Sequence, residues 1–280
     1  MKRPKYYIFC LSIIIGLVGA ALFEAKRNEI FLRETVRILF DDPGINYLYF
    51  WQSFPKKITL HGDLSAPVLN QTEKVIKEIN TIAGRDIYLA PEATGGSEDI
   101  NIAFSKLGNS SFEKMYADLF RDTYGDEEFR KWNSKGVFVF PPTKIHPCFT
   151  NMNFDIRRID EEGYLASAMV EKIYISIGSL DGRAEDLVAA CLREELAHAA
   201  FFFPDRILQD GQESIFNANL LNNERTDYSE FDKKMIKMLA SDGFRTKLMR
   251  YQFIQSAEHY LVSRSIFGSF SRYFMNTDHI

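Results

Sequence analysis

The feature that most constrains this chain lies at its amino terminus. Lys2, Arg3 and Lys5 lead into a run from Tyr6 to Phe23 that carries no charge and ends at Glu24. As an α-helix rising about 1.5 Å per residue, the run is about 27 Å long, close to the ~30 Å hydrocarbon layer of a bilayer. A lone segment in lipid must satisfy its own backbone N–H and C=O groups, so helix is the form open to it. The basic flank stays cytoplasmic, which places everything after the run outside. Two fates stay open. Val18-Gly19-Ala20 has the small residues that signal peptidase requires, whereas the length of the run favours an uncleaved signal anchor. Cys10 sits inside the run behind Phe9, without the small residue that precedes a lipoprotein cysteine. A buried core helix is the remaining alternative, but such a helix usually keeps a polar face.

Composition narrows the rest. Of 280 residues, 46% are hydrophobic and 26% charged, which supplies a real core and excludes wholesale disorder. Three cysteines are too few for a disulfide scaffold of this length. A net charge of −4 argues against a nucleic-acid partner, which needs a basic face to neutralise phosphates.

Hydrophobic periodicity predicts the elements. Lys26 to Phe40 reads as a helix, stopped by Asp41-Asp42-Pro43-Gly44. Lys57–His61 alternates like a strand. Gln71–Ile82 is an amphipathic helix with Val75, Ile76, Ile79 and Ile82 on one side, closed by Gly84. Asp86–Leu89 and Asp99–Phe104 read as short strands, separated by a turn-rich loop from Pro91 to Ser97. Ser111 to Trp132 reads as a charged helical insertion and Gly136–Phe140 as a strand, with Cys148 placed in a loop after His146-Pro147. Leu165–Ile177 is a long β-rich run. Helices follow at Ala184–Phe203, Ser229–Leu239 and Thr246 to about Ile266. The order predicts an α+β fold, a mixed sheet with a helix on it and then a mostly helical C-terminal part.

The helix at Ala184–Phe203 contains Glu194-Glu195-Leu196-Ala197-His198. A zincin carries His-Glu-x-x-His on such a helix: two histidines one turn apart grip zinc, and the glutamate activates the metal-bound water. Here Glu194 stands at the first histidine position, Glu195 at the base and His198 at the second ligand. Glu194 and His198 are i,i+4 and share a helix face. Asp205, after Pro204, lies where a third ligand could return. The plainer reading is an i,i+4 Glu194–His198 pair, worth roughly 0.3–0.5 kcal/mol, with Glu195 bonded to a turn.

Three spaced segments carry a wider likeness: Cys191 to His198, Glu213-Ser214-Ile215-Phe216-Asn217, and Tyr228-Ser229-Glu230-Phe231-Asp232 with Ile236 and Leu239. Over roughly Trp51 to Arg250 the chain resembles the bacterial domain-of-unknown-function family 2927, which has no established activity. The same segments look like a worn metzincin, the zinc-peptidase group that includes the matrix metalloproteases. Ser214-Ile215-Phe216 is similar to the Ser-Ile-Met turn beneath that group's zinc, and Tyr228 to Asp232 to the opening of its later helix. The strand–helix–strand order ahead of the long helix also fits. The departures are a missing first histidine, Phe201 at the helix-ending glycine position and Asp205 one residue late. A carboxylate in place of a neutral imidazole changes both ligand type and charge.

The apolar run and the resemblance together divide the chain into 1–23 (signal anchor or signal peptide), 24–50 (juxtamembrane helix and linker), 51–250 (zincin-like domain) and 251–280 (helical extension). They imply an extracytoplasmic module at the bacterial inner membrane, facing the periplasm and more suited to binding an envelope protein or peptide than to catalysis. The alternative is a metallopeptidase with Glu194, His198 and Asp205 as zinc ligands and Glu195 as base. Family members carry a cysteine upstream of the one in the helix, which implies a Cys148–Cys191 bridge in an oxidising compartment; two buried thiols are the alternative. His61, His146, His259 and His279 are scattered and read as structural. Phe201-Phe202-Phe203 reads as core and groove wall. The aromatic C-terminus from Tyr260 to Phe274 has apolar residues at helical spacing that could pack on the protein or lie at the membrane surface; it lacks a basic stripe, so packing is expected.

Overall fold

The computed structural model describes residues 4–40, 47–48, 51, 53–62, 64–91, 99–106, 121, 126–127, 130, 148–159, 165–179, 184–201, 214, 227–244, 248–275 and 277. In chain order its elements are α1 (Pro4–Phe40), β1 (Tyr47–Leu48), β2 (Ile58–Gly62), α2 (Ala66–Ala83), β3 (Ile100–Lys106), β4 (Cys148–Ile159), β5 (Leu165–Ser179), α3 (Ala184–Phe201), α4 (Glu230–Leu239), β6 (Leu248–Met249), α5 (Arg250–Ser263) and α6 (Ser269–Arg272). The fold is mixed α+β, mostly helical with a small sheet. It divides into two compact units, 49–241 and 1–48 with 242–280.

Within 49–241, a four-stranded sheet has the order β2-β3-β5-β4. β2, β3 and β5 are parallel, and β4 is antiparallel to β5. Ile58, Thr59 and Leu60 are all buried, so β2 is covered on both faces, as parallel strands require. The strand closes at Gly62, whose φ of 91° only glycine takes readily; a Cβ there would lie 2.1 Å from the Phe104 carbonyl oxygen across the pair. The expected strand at Asp86–Leu89 is reduced to one parallel bridge between Tyr88 and Lys56.

Helix α2 begins at Ala66, five residues before the expected Gln71, because Pro67 suits the first turn of a helix. Thr72, Val75, Ile76 and Ile79 are its buried stripe. Each fully buried aliphatic side chain is worth roughly 1.5–3 kcal/mol. Gly84, at φ 71°, ends α2 by donating to the Asn80 and Thr81 carbonyls. α2 packs on α3 and α4, and α3 packs on β4 and β5.

One expectation needs correcting. Cys148 opens the strand β4; it does not lie in a loop. Asparagine at 151 and 153 and aspartate at 155 disfavour strands intrinsically. Pairing with the long β5 from Cys148↔Ile177 onward overrides that preference. The regions 107–120 and 131–147 lie outside the described residues, and with them Gly136–Phe140; Arg121, Asp126, Glu127 and Arg130 of the charged insertion are helical.

In the other unit, the apolar run and the expected Lys26–Phe40 helix are one continuous helix, α1. Nothing between Phe23 and Lys26 interrupts it, since Glu24 and Ala25 are good helix formers. Phe9–Phe40 contains a window long and apolar enough to cross a membrane, as a membrane anchor or a signal sequence would be. Phe9, Ile15 and Phe23 stay about two-thirds exposed, whereas Ala21, Ala25, Asn28, Leu32, Thr35, Val36 and Leu39 form a buried stripe. α5 and α6 pack against α1, and β1 pairs with β6. Phe253 meets the Phe40 ring edge-on at 5.6 Å and the Phe244 ring at 5.3 Å. α5 is shorter than the expected Thr246–Ile266, because Leu248 and Met249 are drawn into β6 and Ser265 is already in a turn.

Candidate functional site

From Cys191 to Phe201, Glu194 is the one α3 residue that is not buried. A helix enclosed nearly all round lies in a core. Its polar side chains therefore need explicit partners.

Three buried aromatic side chains donate to α3 carbonyls at a spacing of three. The Tyr228 hydroxyl donates to the Arg193 carbonyl at 2.6 Å, the Tyr88 hydroxyl donates to the Leu196 carbonyl, and the Trp51 indole N–H donates to the Ala199 carbonyl at 2.8 Å. A carbonyl has two lone pairs, so Arg193 and Leu196 can keep their in-helix bonds as well. The Ala199 carbonyl is in the last turn, where the helix itself supplies no donor, and Trp51 acts as its cap. Burial pushes the phenols of Tyr88 and Tyr228 well above the usual tyrosine range. Both are therefore neutral donors across physiological pH.

Local sequence places each donor. Asn80, in the last turn of α2, accepts from the backbone N–H of Ile87 and Tyr88 and donates to the Tyr88 carbonyl at 2.9 Å. That clamp aims Tyr88 at α3. Tyr228 immediately precedes the capping box of α4, where Ser229 and Asp232 bond reciprocally. Trp51 carries the Lys56 ammonium 4.1 Å from its ring, and Lys56 also pairs with Asp99 at 3.7 Å. Burial lowers the Lys56 pKa, with the Asp99 charge opposing the shift. The Arg193 guanidinium, 7% exposed, reaches Glu78 on α2 at 2.9 Å and Asp227 before α4 at 3.2 Å. α3 is thus tied to α2, to the start of α4 and to the segment ahead of β2.

The positions singled out from the sequence fall as follows. Glu194, Glu195 and His198 are on α3, with Glu195 and His198 only 4% and 5% exposed. Asp205, Ile215, Phe216, Phe202, Phe203, His146 and His279 lie outside the described residues. Ser214 is wholly buried and donates to the Asp232 carboxylate at 2.6 Å, so the second and third motif segments meet. Cys191 is buried and disulfide-bonded, and Cys10 is free. His61 pairs with Asn101 at 3.0 Å, on adjacent strands β2 and β3. Phe201 is core, set edge-on to Phe54 at 6.4 Å.

Among the described residues, no three His, Cys, Asp or Glu side chains stand close enough together to hold a metal ion. Glu194 and His198 supply a carboxylate and an imidazole, donor types that zinc accepts. Tyr88, Tyr228, Trp51, Asn80, Glu78 and Arg193 were not legible as a site. The three aromatic donors are 108, 35 and 148 residues from their acceptors, and no local spacing signals such pairs.

Comparison of the chain with protein-family models, curated proteins and solved structures returned no match.

Proposed function

We propose that this is a membrane-anchored extracytoplasmic protein whose 49–241 unit is a metzincin-like domain of the family 2927 type. In this reading it is catalytically inactive and works as an envelope binding or structural module. The observation that carries the proposal is the enclosure of α3. An enzyme of the zincin kind needs an open coordination position beside a free carboxylate, yet Glu195 and His198 face protein and the helix backbone is held by Tyr228, Tyr88 and Trp51. Enclosure of this kind supports a packing role for the carboxylate and the imidazole over water activation.

Supporting the metzincin-like shape are the strand–helix–strand order of β2, α2 and β3, the long helix after the sheet, and the Ser214–Asp232 bond joining two of the resembling segments. Supporting export are the apolar stretch of α1 and the oxidised state of Cys191. Cys148 is the partner proposed for Cys191: Cys10 is free, and β4, which Cys148 opens, packs on α3.

Metal analysis of the full chain purified without chelator tests the proposal. The expected result is no stoichiometric zinc and unchanged melting in chelator. One zinc per chain, lost in His198→Ala or Glu194→Ala, would replace the inactive reading by the metallopeptidase reading. Alkylation followed by mass spectrometry tests the bridge; three alkylatable thiols in the native protein would exclude it.

A further inference from the structure

The C-terminal segment does not pack along its whole length. Phe253, Ala257, Leu261 and Met275 are buried, as a packed extension requires. Ile266, Phe270 and Tyr273 are not: they are 91%, 47% and 86% exposed. Three large apolar or aromatic side chains within eight residues form a surface that water alone does not explain.

Position along α1 says what covers it. α5 starts at the far end of α1, where Phe253 meets Phe40. α6 follows α5 and also packs on α1. α5 must therefore run back along α1 toward the amino terminus. Ten residues of helix beyond Phe253 return about 15 Å, to roughly the level of Ile30. The α1 surface still ahead of the segment is the stretch around Ala25 and Ala21, both fully buried within a helix whose other faces are exposed. This is where the charge-free run ends, at Phe23 and Glu24. The chemistry suits that level. Tyr273 and Tyr260 are amphipathic, the Arg264 guanidinium lies 4.8 Å over the Tyr260 ring, and Arg272 pairs with Glu258 at 2.8 Å. Aromatic rings with arginines beside them are the residues that settle at a membrane–water interface.

We infer that residues 266–273 are a membrane-interface foot, with Ile266, Phe270 and Tyr273 seated in the headgroup region of the bilayer that α1 spans. The foot rests on the reading of α1 as an anchor. It fixes α1 at a defined depth: the exposed apolar residues up to Phe23 lie in lipid, and the buried stripe begins at the level of the foot with Ala21 and Ala25 and continues above it.

The test uses the full chain in phosphatidylcholine vesicles, with Cys10→Ser and one cysteine carrying a nitrobenzoxadiazole dye. Ile266→Cys and Tyr273→Cys probe the foot. Tyr251→Cys, 55% exposed at the far end of α5, is the control. Carbonate extraction is run on the same vesicles. The foot predicts that spin-labelled lipid quenches the dye at 266 and 273 several-fold more than at 251, while iodide quenches 251 most. Retention after carbonate with iodide reaching 266 and 273 as readily as 251 overturns the foot and leaves the anchor standing. Protection of 266 and 273 from both quenchers also overturns it, in favour of a protein partner or a second copy. Release of the chain by carbonate removes the anchor and the foot together.

Discussion

Replacing Asp232 by alanine tests the bond that joins two distant motif segments. The carboxylate is wholly buried and accepts from the Ser214 hydroxyl at 2.6 Å, the Ser229 backbone N–H at 2.9 Å and the Ser229 hydroxyl at 2.8 Å. Hydrogen bonds to a charged acceptor contribute about 1.5–3 kcal/mol each, but three that share one anion do not add. Ser229 is half-buried, so water can replace part of what its groups lose. Ser214 has no exposure, so water cannot replace the bond its hydroxyl gives to Asp232, and that loss costs about 1–3 kcal/mol. The capping box of α4 is lost as well, typically about 1 kcal/mol. Against these losses, removing a buried charge relieves part of its desolvation. The expected net loss is about 3 kcal/mol, a large share of the ~5–15 kcal/mol that holds a domain folded. Ser214→Ala alone should cost about 1–2 kcal/mol, and the double variant should cost less than the sum by about 1 kcal/mol or more. Urea unfolding of the full chain in detergent measures all three, read by tryptophan fluorescence, because Trp51 is buried against α3. A loss below about 1 kcal/mol in Asp232→Ala, or strictly additive single variants, would refute the argument.

Three further outcomes follow from the same geometry. Tyr88 and Tyr228 have folded pKa values above their unfolded ones, so the unfolded chain loses these protons first and stability falls as pH rises past about 10. Absorbance at phenolate wavelengths should therefore rise in a late step that coincides with unfolding, and Tyr88→Phe should move that step to higher pH. Trp51→Phe removes the cap on the Ala199 carbonyl and weakens the ring face beneath Lys56; about 2 kcal/mol should be lost in a circular-dichroism melt. Gly62→Ala sets a Cβ against the Phe104 carbonyl oxygen at a positive φ, and a loss of about 2 kcal/mol or more should appear as a lower melting temperature. An unchanged melt in either variant would contradict the geometry that motivates it.

The legibility of the fold varied with the range of the interaction. α2 could be read within a few residues because its buried stripe Val75, Ile76 and Ile79 repeats at helical spacing and Gly84 closes it. α4 was equally plain from Ser229 and Asp232, whose capping box acts across three residues. β4 was missed because its asparagines argue locally against a strand, while its formation depends on pairing with β5. The break between the apolar run and the Lys26 helix did not exist, because a change of polarity along a helix does not interrupt its backbone bonds. The site divided in the same way. The residues Glu194, Glu195 and His198 stood out by spacing, but spacing carries no information about burial.

By itself, the sequence determined the charge-free stretch at the amino terminus, the amphipathic helices and the shared face of Glu194 and His198, since each follows from the period of one element. Only the tertiary structure decided that α3 is enclosed, that Ser214 reaches Asp232, and that Tyr88, Tyr228 and Trp51 converge on one helix. The physical reason is that a buried polar group must find a donor or acceptor somewhere in space. For α3 those partners come from positions far along the chain, which no local pattern encodes.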